Sequence, residues 1–269
     1  MAEKRIRLER KNKIALVTMD RPEKKHAFDE AMFNALEQVT RELAADLPRT
    51  IVLTGSGVNA FCAGFDVNLE NPMTAQFLEA VNKKDTAVAG EVIGRMRRAV
   101  DGFVGLPVPV IACVNGSAYG GGAELAVRCD LRVMDAGAEF CFSEVRLGLM
   151  PDWGGGPCLE RLVGHAHAAD LILTARVVTA KEALEMGLIN RLSDDGCCLD
   201  DALALAEEIN RNGPKAVSHA LAVLRQSRDL SLEVALDKEA ESASDLIASG
   251  ECIHGITAFM EKKLPRFPD

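Results

Sequence analysis

The stretch from Val108 to Ser143 constrains the fold most. Val108 to Val114 is an unbroken β-branched and apolar run, NGSAYGGG follows as a turn, and Ala123 to Cys129 continues at helical spacing. Leu131 to Met134 and Glu139 to Ser143 then read as strands. A fully apolar strand, a glycine turn and a helix in succession form the repeating unit of a mostly parallel sheet with helices on its faces. The same alternation precedes it. Arg5 to Glu9 and Ile14 to Thr18 read as two short strands before the Asp20-Arg21-Pro22 break, where proline forces extended geometry on its predecessor. Asp29 to Ala45 carries Met32, Phe33, Leu36, Val39 and Leu43 at helical spacing, and Thr50 to Thr54 is a buried strand. The chain predicts an α/β fold.

Residues 72–90 are polar and without a clear period, so they read as a mobile or partly helical insert, after which Ile93 to Phe103 is helical. Beyond Pro151 the pattern is almost wholly helical. Thr179 to Glu182 (TAKE) fits a capping box, and helices are predicted near 200–211, 214–227, 232–247 and 251–262. No internal repeat or low-complexity linker divides the chain, which reads as one core, residues 1–197, with a helical C-terminal part, residues 198–269.

No run of eighteen apolar residues exists to span a bilayer, and the N-terminus MAEKRIRLERK lacks the apolar stretch of a signal peptide. The eight cysteines sit mostly in apolar runs with no CxxC pair, as suits small buried hydrophobes in a reducing compartment, so the expected location is the cytoplasm. Lys plus Arg (31) against Asp plus Glu (40) leaves a net charge of −9. Nucleic acid is therefore a poor partner, and any phosphate must be met by a local basic patch or by backbone amides.

Two glycine loops follow strands. Gly55-Ser-Gly57-Val-Asn-Ala60 imitates the dinucleotide fingerprint GxGxxA, but that site needs a helix opening inside the loop, and Phe61 to Asp66 has no helical pattern. The second is richer. Gly120-Gly121-Gly122 lies just before a helix, where first-turn N–H groups are unpaired and the dipole is positive, and it suits developing negative charge at roughly 3 kcal/mol per donor. Glu124, three residues after Gly121, stacks on the same helical face. Glu144 ends an apolar strand, where burial should raise its affinity for protons. Two such carboxyls can divide acid and base work; otherwise each caps a helix or faces solvent.

At DRPEKKHAF (20–28), GSGVNAFCAGFDV (55–67), VNGSAYGGGAELAVRCD (114–130), FSEVRLGLMPDWGG (142–155) and GITAFMEKKLPRF (255–267) the chain resembles the crotonase, or enoyl-CoA hydratase/isomerase, superfamily, in the family's order from about residue 5 to the end. The resemblance implies a spiral of stacked ββα units, with the helical C-terminal region assembling three chains or a dimer of trimers, and an acyl-CoA thioester substrate of fatty acid metabolism. It implies an oxyanion hole from the backbone N–H groups of Phe65 and Gly121, with Glu124 and Glu144 as the catalytic pair around one water. That pair points to hydration of a trans-2-enoyl-CoA to a 3-hydroxyacyl-CoA. Coenzyme A would run beside Lys24, Lys25, Ala27, Ala63, Asp66 and Val67, its phosphates meeting Lys262 or Lys263 of a neighbouring subunit. Neither a metal nor a redox cofactor, and no nucleic acid or membrane, is implied.

Three positions depart from the family's pattern. Asp152 matches an acid of some dienoyl-CoA isomerases and reads either as a third acid, which makes double-bond isomerisation the alternative reaction, or as a helix cap. Trp153 either narrows the acyl pocket or only packs. His26 stands where the family commonly has Asn. Rival readings are weaker. Ser117 lies on a strand-to-helix turn, but GxSxG needs glycines where the chain has Asn115 and Tyr119. His165 and His167, two apart on a helix, point to different faces and make a poor metal site. A noncatalytic acyl-CoA binder or scaffold remains the alternative of another class.

Overall fold

The computed structural model describes residues 5–268. The first four residues and the last, which the expected domain bounds include, lie outside the described residues. In chain order, β1 (Ile6–Lys11) and β2 (Ile14–Met19) form an antiparallel hairpin whose turn places Asn12 and Lys13 at positive φ. Next come α1 (Glu30–Ala45), β3 (Thr50–Gly55), β4 (Ala60–Cys62), α2 (Pro72–Lys83), α3 (Thr86–Val104), β5 (Val110–Val114), β6 (Ser117–Tyr119) and α4 (Gly121–Arg128). The rest is β7 (Leu131–Asp135), β8 (Glu139–Cys141), α5 (Gly155–Thr174), β9 (Val178–Thr179), α6 (Ala180–Glu185), β10 (Arg191–Ser193), α7 (Cys198–Asn210), α8 (Pro214–Ser227), α9 (Leu232–Ala248) and α10 (Cys252–Met260).

From β3 to α5 each coil of the chain gives one strand to each of two sheets and then a helix. The larger sheet has the order β1-β2-β3-β5-β7-β10, parallel from β2 onward; the smaller runs β4-β6-β8-β9, parallel from β4 to β8. β3/β4/α3, β5/β6/α4 and β7/β8/α5 are thus the stacked ββα units of a spiral. Every residue of β3 and of β5 is buried, which explains why those strands read as continuous apolar runs. Asp29 caps α1 by accepting from the Met32 N–H, and its buried stripe is the five residues the spacing picked out.

Sequence and structure part at three places. Residues 72–90 form two well-capped helices, more helix than the spacing predicted: Asn71 and Asp85 accept from first-turn amides, and Pro72 opens α2, so of the two readings of this segment the helical one holds. The region after Pro151 also contains β9 and β10, too short for a period to register. Finally, Cys198, Ala202, Leu205 and Ala206 of α7 pack against Ile14, Val52, Ile111, Cys113 and Val133 of the larger sheet. The packing therefore carries the core past residue 197 to the end of α7. Helices without a buried residue begin at α8, and α8, α9 and α10 leave Leu224, Leu232, Ile247, Phe259 and others exposed.

Candidate active site

The two glycine loops meet. Gly64 takes φ +88° at the end of β4, and a Cβ there would lie 2.7 Å from the Gly121 nitrogen and 2.9 Å from the Tyr119 carbonyl oxygen. Only glycine lets these backbones approach so closely. Gly120, at φ +52°, turns the chain from β6 into α4 and donates its N–H to the Cys141 carbonyl at 2.8 Å, which pins the turn to β8. The turn after β4 is held from its other side. Phe28 donates to the Gly64 carbonyl at 2.7 Å and accepts from the Asp66 N–H at 2.9 Å, bracketing Phe65. Phe65 and Gly121 consequently stand on adjacent turns at one cavity of about 630 Å³.

Glu124 and Glu144 line that cavity together with Asp152, although they come from α4, from the 3-10 turn after β8, and from the segment before α5. Glu124 is 1% exposed. Its carboxyl accepts from the N–H groups of Asp152 at 3.1 Å, Trp153 at 2.9 Å and Gly155 at 2.7 Å. A Cβ on Gly155 would overlap the Glu124 side chain, so glycine at the head of α5 is what permits this grip. Glu144 is its opposite. Both its carboxyl oxygens are buried, and beside them, among the described residues, stand only its own backbone N–H and the Glu124 carboxyl, with no counterpart of the three-amide grip on Glu124. Burial raises the proton affinity of both acids, and for Glu124 the Glu144 charge raises it further against the opposing Gly155 N–H.

Asp152 is pushed up to about 7, first by burial and then by the Glu124 charge. It does not cap the following helix: the cap of α5 is Gly154 at φ +91°, with no side-chain bond, so the capping reading is corrected. Trp153 is 1% exposed and packs edge-on against Phe28 and Phe33, with ring centroids 5.5 and 5.2 Å away. Its ring also lies where a Cβ of Gly121 would fall, 2.7–2.8 Å from three ring atoms. Trp153 thus packs and walls the cavity at once.

Of the residues expected beside coenzyme A, Ala63 and Val67 line the cavity, whereas Lys24, Lys25, Ala27 and Asp66 do not. Each has a local structural contact instead. Lys24 ends a 3-10 turn, Lys25 accepts the Ala63 N–H at 2.9 Å, Ala27 accepts from Arg21, and Asp66 pairs with Arg21 at 2.7 Å. Lys262 and Lys263 are exposed beyond α10, and Lys263 pairs with Glu261 at 2.9 Å. What the sequence reading missed is the apolar wall: Phe77, Ala80 and Val81 of α2 and Ala89, Ile93 and Met96 of α3. The signal was the spacing Met73, Phe77, Ala80 after an Asn-Pro helix start.

Ser117 donates to the Asn59 carbonyl and has no histidine partner, and His165 and His167 are exposed on α5, which breaks at Gly164. Among the described residues no cluster of three or more His, Cys, Asp or Glu side chains is arranged to hold a metal ion, and no helix is long and apolar enough to cross a membrane.

Residues 9–269 match the family described as enoyl-CoA hydratase/isomerase. Among its relatives, the short-chain-enoyl-CoA hydratase of Clostridium acetobutylicum is 32% identical over 257 residues, 95% of this chain and 94% of its own. The crotonyl-CoA hydratase of Syntrophomonas wolfei is 32% identical over 271 residues, 99% of each. The crystal structure of an enoyl-CoA hydratase from Bacillus anthracis superposes with a TM-score of 0.88 at 29% identity, covering 98% of both chains. Together with the ββα spiral, these similarities establish that the chain belongs to the enoyl-CoA hydratase/isomerase family of the crotonase superfamily.

Proposed function

We propose that this enzyme hydrates a trans-2-enoyl-CoA thioester to the 3-hydroxyacyl-CoA. The observation that carries the reading is the convergence of Glu124 and Glu144 on one largely apolar cavity beside the adjacent turns of Phe65 and Gly121. In this reading the Phe65 and Gly121 amides receive the thioester oxygen, drawing electron density from the double bond so that the β-carbon accepts water and the α-carbon becomes basic. Burial and the contact between Glu124 and Glu144 keep one shared proton on the pair; in the reacting arrangement the three main-chain donors hold Glu124 as the anion while the proton stands on Glu144. Glu124 then takes a proton from water as its oxygen bonds to the β-carbon, and Glu144 gives its proton to the α-carbon. A proton passing from Glu124 to Glu144 restores the starting state. The atoms of water are all accounted for, and no step calls on a metal or a redox cofactor.

Asp152 supports a second reading. A third carboxyl in the same cavity, titrating near neutrality, is placed to move protons along a conjugated acyl chain, which is double-bond isomerisation. Incubation with 2-enoyl, 3-enoyl and 3,5-dienoyl thioesters in deuterated water, read by mass, separates the two. Hydrate carrying one carbon-bound deuteron supports hydration; shifted double bonds without added water across the panel support isomerisation. Binding without turnover would leave an acyl-CoA binder. By this reading coenzyme A reaches Lys262 or Lys263 through a trimer or a dimer of trimers built by the exposed C-terminal helices. The eight free thiols fit the reducing cytoplasm.

A further inference from the structure

Arg21 lies outside the cavity yet is among the most buried charges of the chain, at 8% exposed. Its guanidinium donates through Nη1 to the Ala27 carbonyl at 2.9 Å and to Asp66 Oδ2 at 2.7 Å, and Nη2 lies 3.3 Å from Asp29 Oδ2. Asp66 immediately follows Phe65, and Ala27 immediately precedes Phe28, whose backbone brackets Phe65 on both sides. One planar cation therefore ties together the two strands of backbone between which the Phe65 amide is held. The brace has a second anchor: the Arg21 N–H donates to His26 Nδ1 at 3.1 Å, which leaves His26 Nε2 to donate to the Ser56 carbonyl at 3.0 Å. His26 is itself at φ +58°, and its carbonyl accepts from the Cys62 thiol. The 21–28 loop is thereby fastened to Ser56, just after β3, and to Cys62, the last residue of β4. A buried guanidinium that spreads its two terminal nitrogens over a carbonyl and two carboxylates is held rigidly, because these groups have little water to turn to instead.

We propose that Arg21, acting through Asp66 and the Ala27 carbonyl, is a positioning residue that fixes the direction of the Phe65 N–H at the thioester oxygen. This rests on the reading of Phe65 and Gly121 as the oxyanion donors. Arg21 touches no reacting atom; it sets how strongly the carbonyl is polarised, while the bulk of coenzyme A binding lies elsewhere. Loss of the brace should therefore fall on kcat far more than on KM.

The test uses dimethylaminocinnamoyl-CoA, an enoyl thioester whose absorbance moves to longer wavelength when its carbonyl is polarised, with kcat and KM for a 2-enoyl-CoA measured in parallel. Arg21→Met should lose most of the bound-state red shift and lower kcat about 10- to 100-fold, part of the effect of deleting an oxyanion donor, with KM changed less than about threefold. Arg21→Lys, which keeps the charge but not the fork, should recover only a part. If Arg21→Met does not fold, Asp66→Asn decides, since it keeps the side chain's shape and weakens the same link. A folded variant of either kind with the full red shift and full kcat overturns the proposal. A wild-type enzyme that produces no red shift at all would overturn the oxyanion reading itself, a different outcome.

Discussion

The contact between Gly121 and Trp153 allows a quantitative test of how the site is built. In Gly121→Ala the new methyl carbon would sit 2.7–2.8 Å from three atoms of the Trp153 ring, where a relaxed carbon–carbon contact is about 3.5–4.0 Å. Roughly 1 Å must be found. The ring cannot supply it, because Phe28 and Phe33 abut it edge-on and Arg128 donates to the Trp153 carbonyl at 2.7 Å. The turn carrying the Gly121 amide must yield instead. Overpacking of this kind costs about 1–3 kcal/mol of stability. Displacing one oxyanion donor should lower kcat by about 10²- to 10³-fold. Trp153→Leu removes the obstructing ring at a cavity cost of about 2–4 kcal/mol. Urea unfolding and hydration kinetics on both single variants and the double variant complete a cycle. The double variant should be more stable than the sum of the singles by about 1–3 kcal/mol and should regain part of kcat. Additivity within about 0.5 kcal/mol, with kcat of Gly121→Ala unchanged, would refute the reasoning.

Glu144→Gln should lower hydration by about 10²- to 10⁴-fold while isothermal titration finds acyl-CoA affinity within a few fold, because the lost group moves a proton and does not anchor the substrate. Asp152 carries a folded-state proton affinity raised from 3.8 to about 7, so its stabilising protonation is fully present below 3.8 and lost as pH rises through about 7. Asp152→Asn should therefore unfold at a higher temperature than wild type at pH 8, with the advantage vanishing toward pH 4. The same substitution removes a like charge facing Glu124 and Glu144, so the acidic limb of the rate profile should move to lower pH. Among the eight thiols Cys197 is the exposed one; a disulfide reagent should titrate it quickly in the native protein, the half-buried Cys158 and Cys252 more slowly, and the five buried thiols only after unfolding.

The sequence by itself determined the elements whose burial pattern is continuous or strongly periodic. β3, β5, the stripe on α1 and the Thr179–Glu182 capping box follow from local chemistry that each segment carries alone. The two glycine turns were legible for the same reason, since a backbone packed so closely that an added Cβ would lie 2.7 Å from its neighbour, or one that takes positive φ, tolerates little else. Only the tertiary structure decided that Glu124 is gripped by the head of α5 while Glu144, twenty residues on, is buried against it outside that grip. It likewise decided that Asp152 joins them, that Asp66 faces Arg21 and not the cavity, and that α2 and α3 wall the site. These facts depend on which turns of the spiral stack against which, and a carboxyl's proton affinity depends on burial and neighbours that no local spacing records.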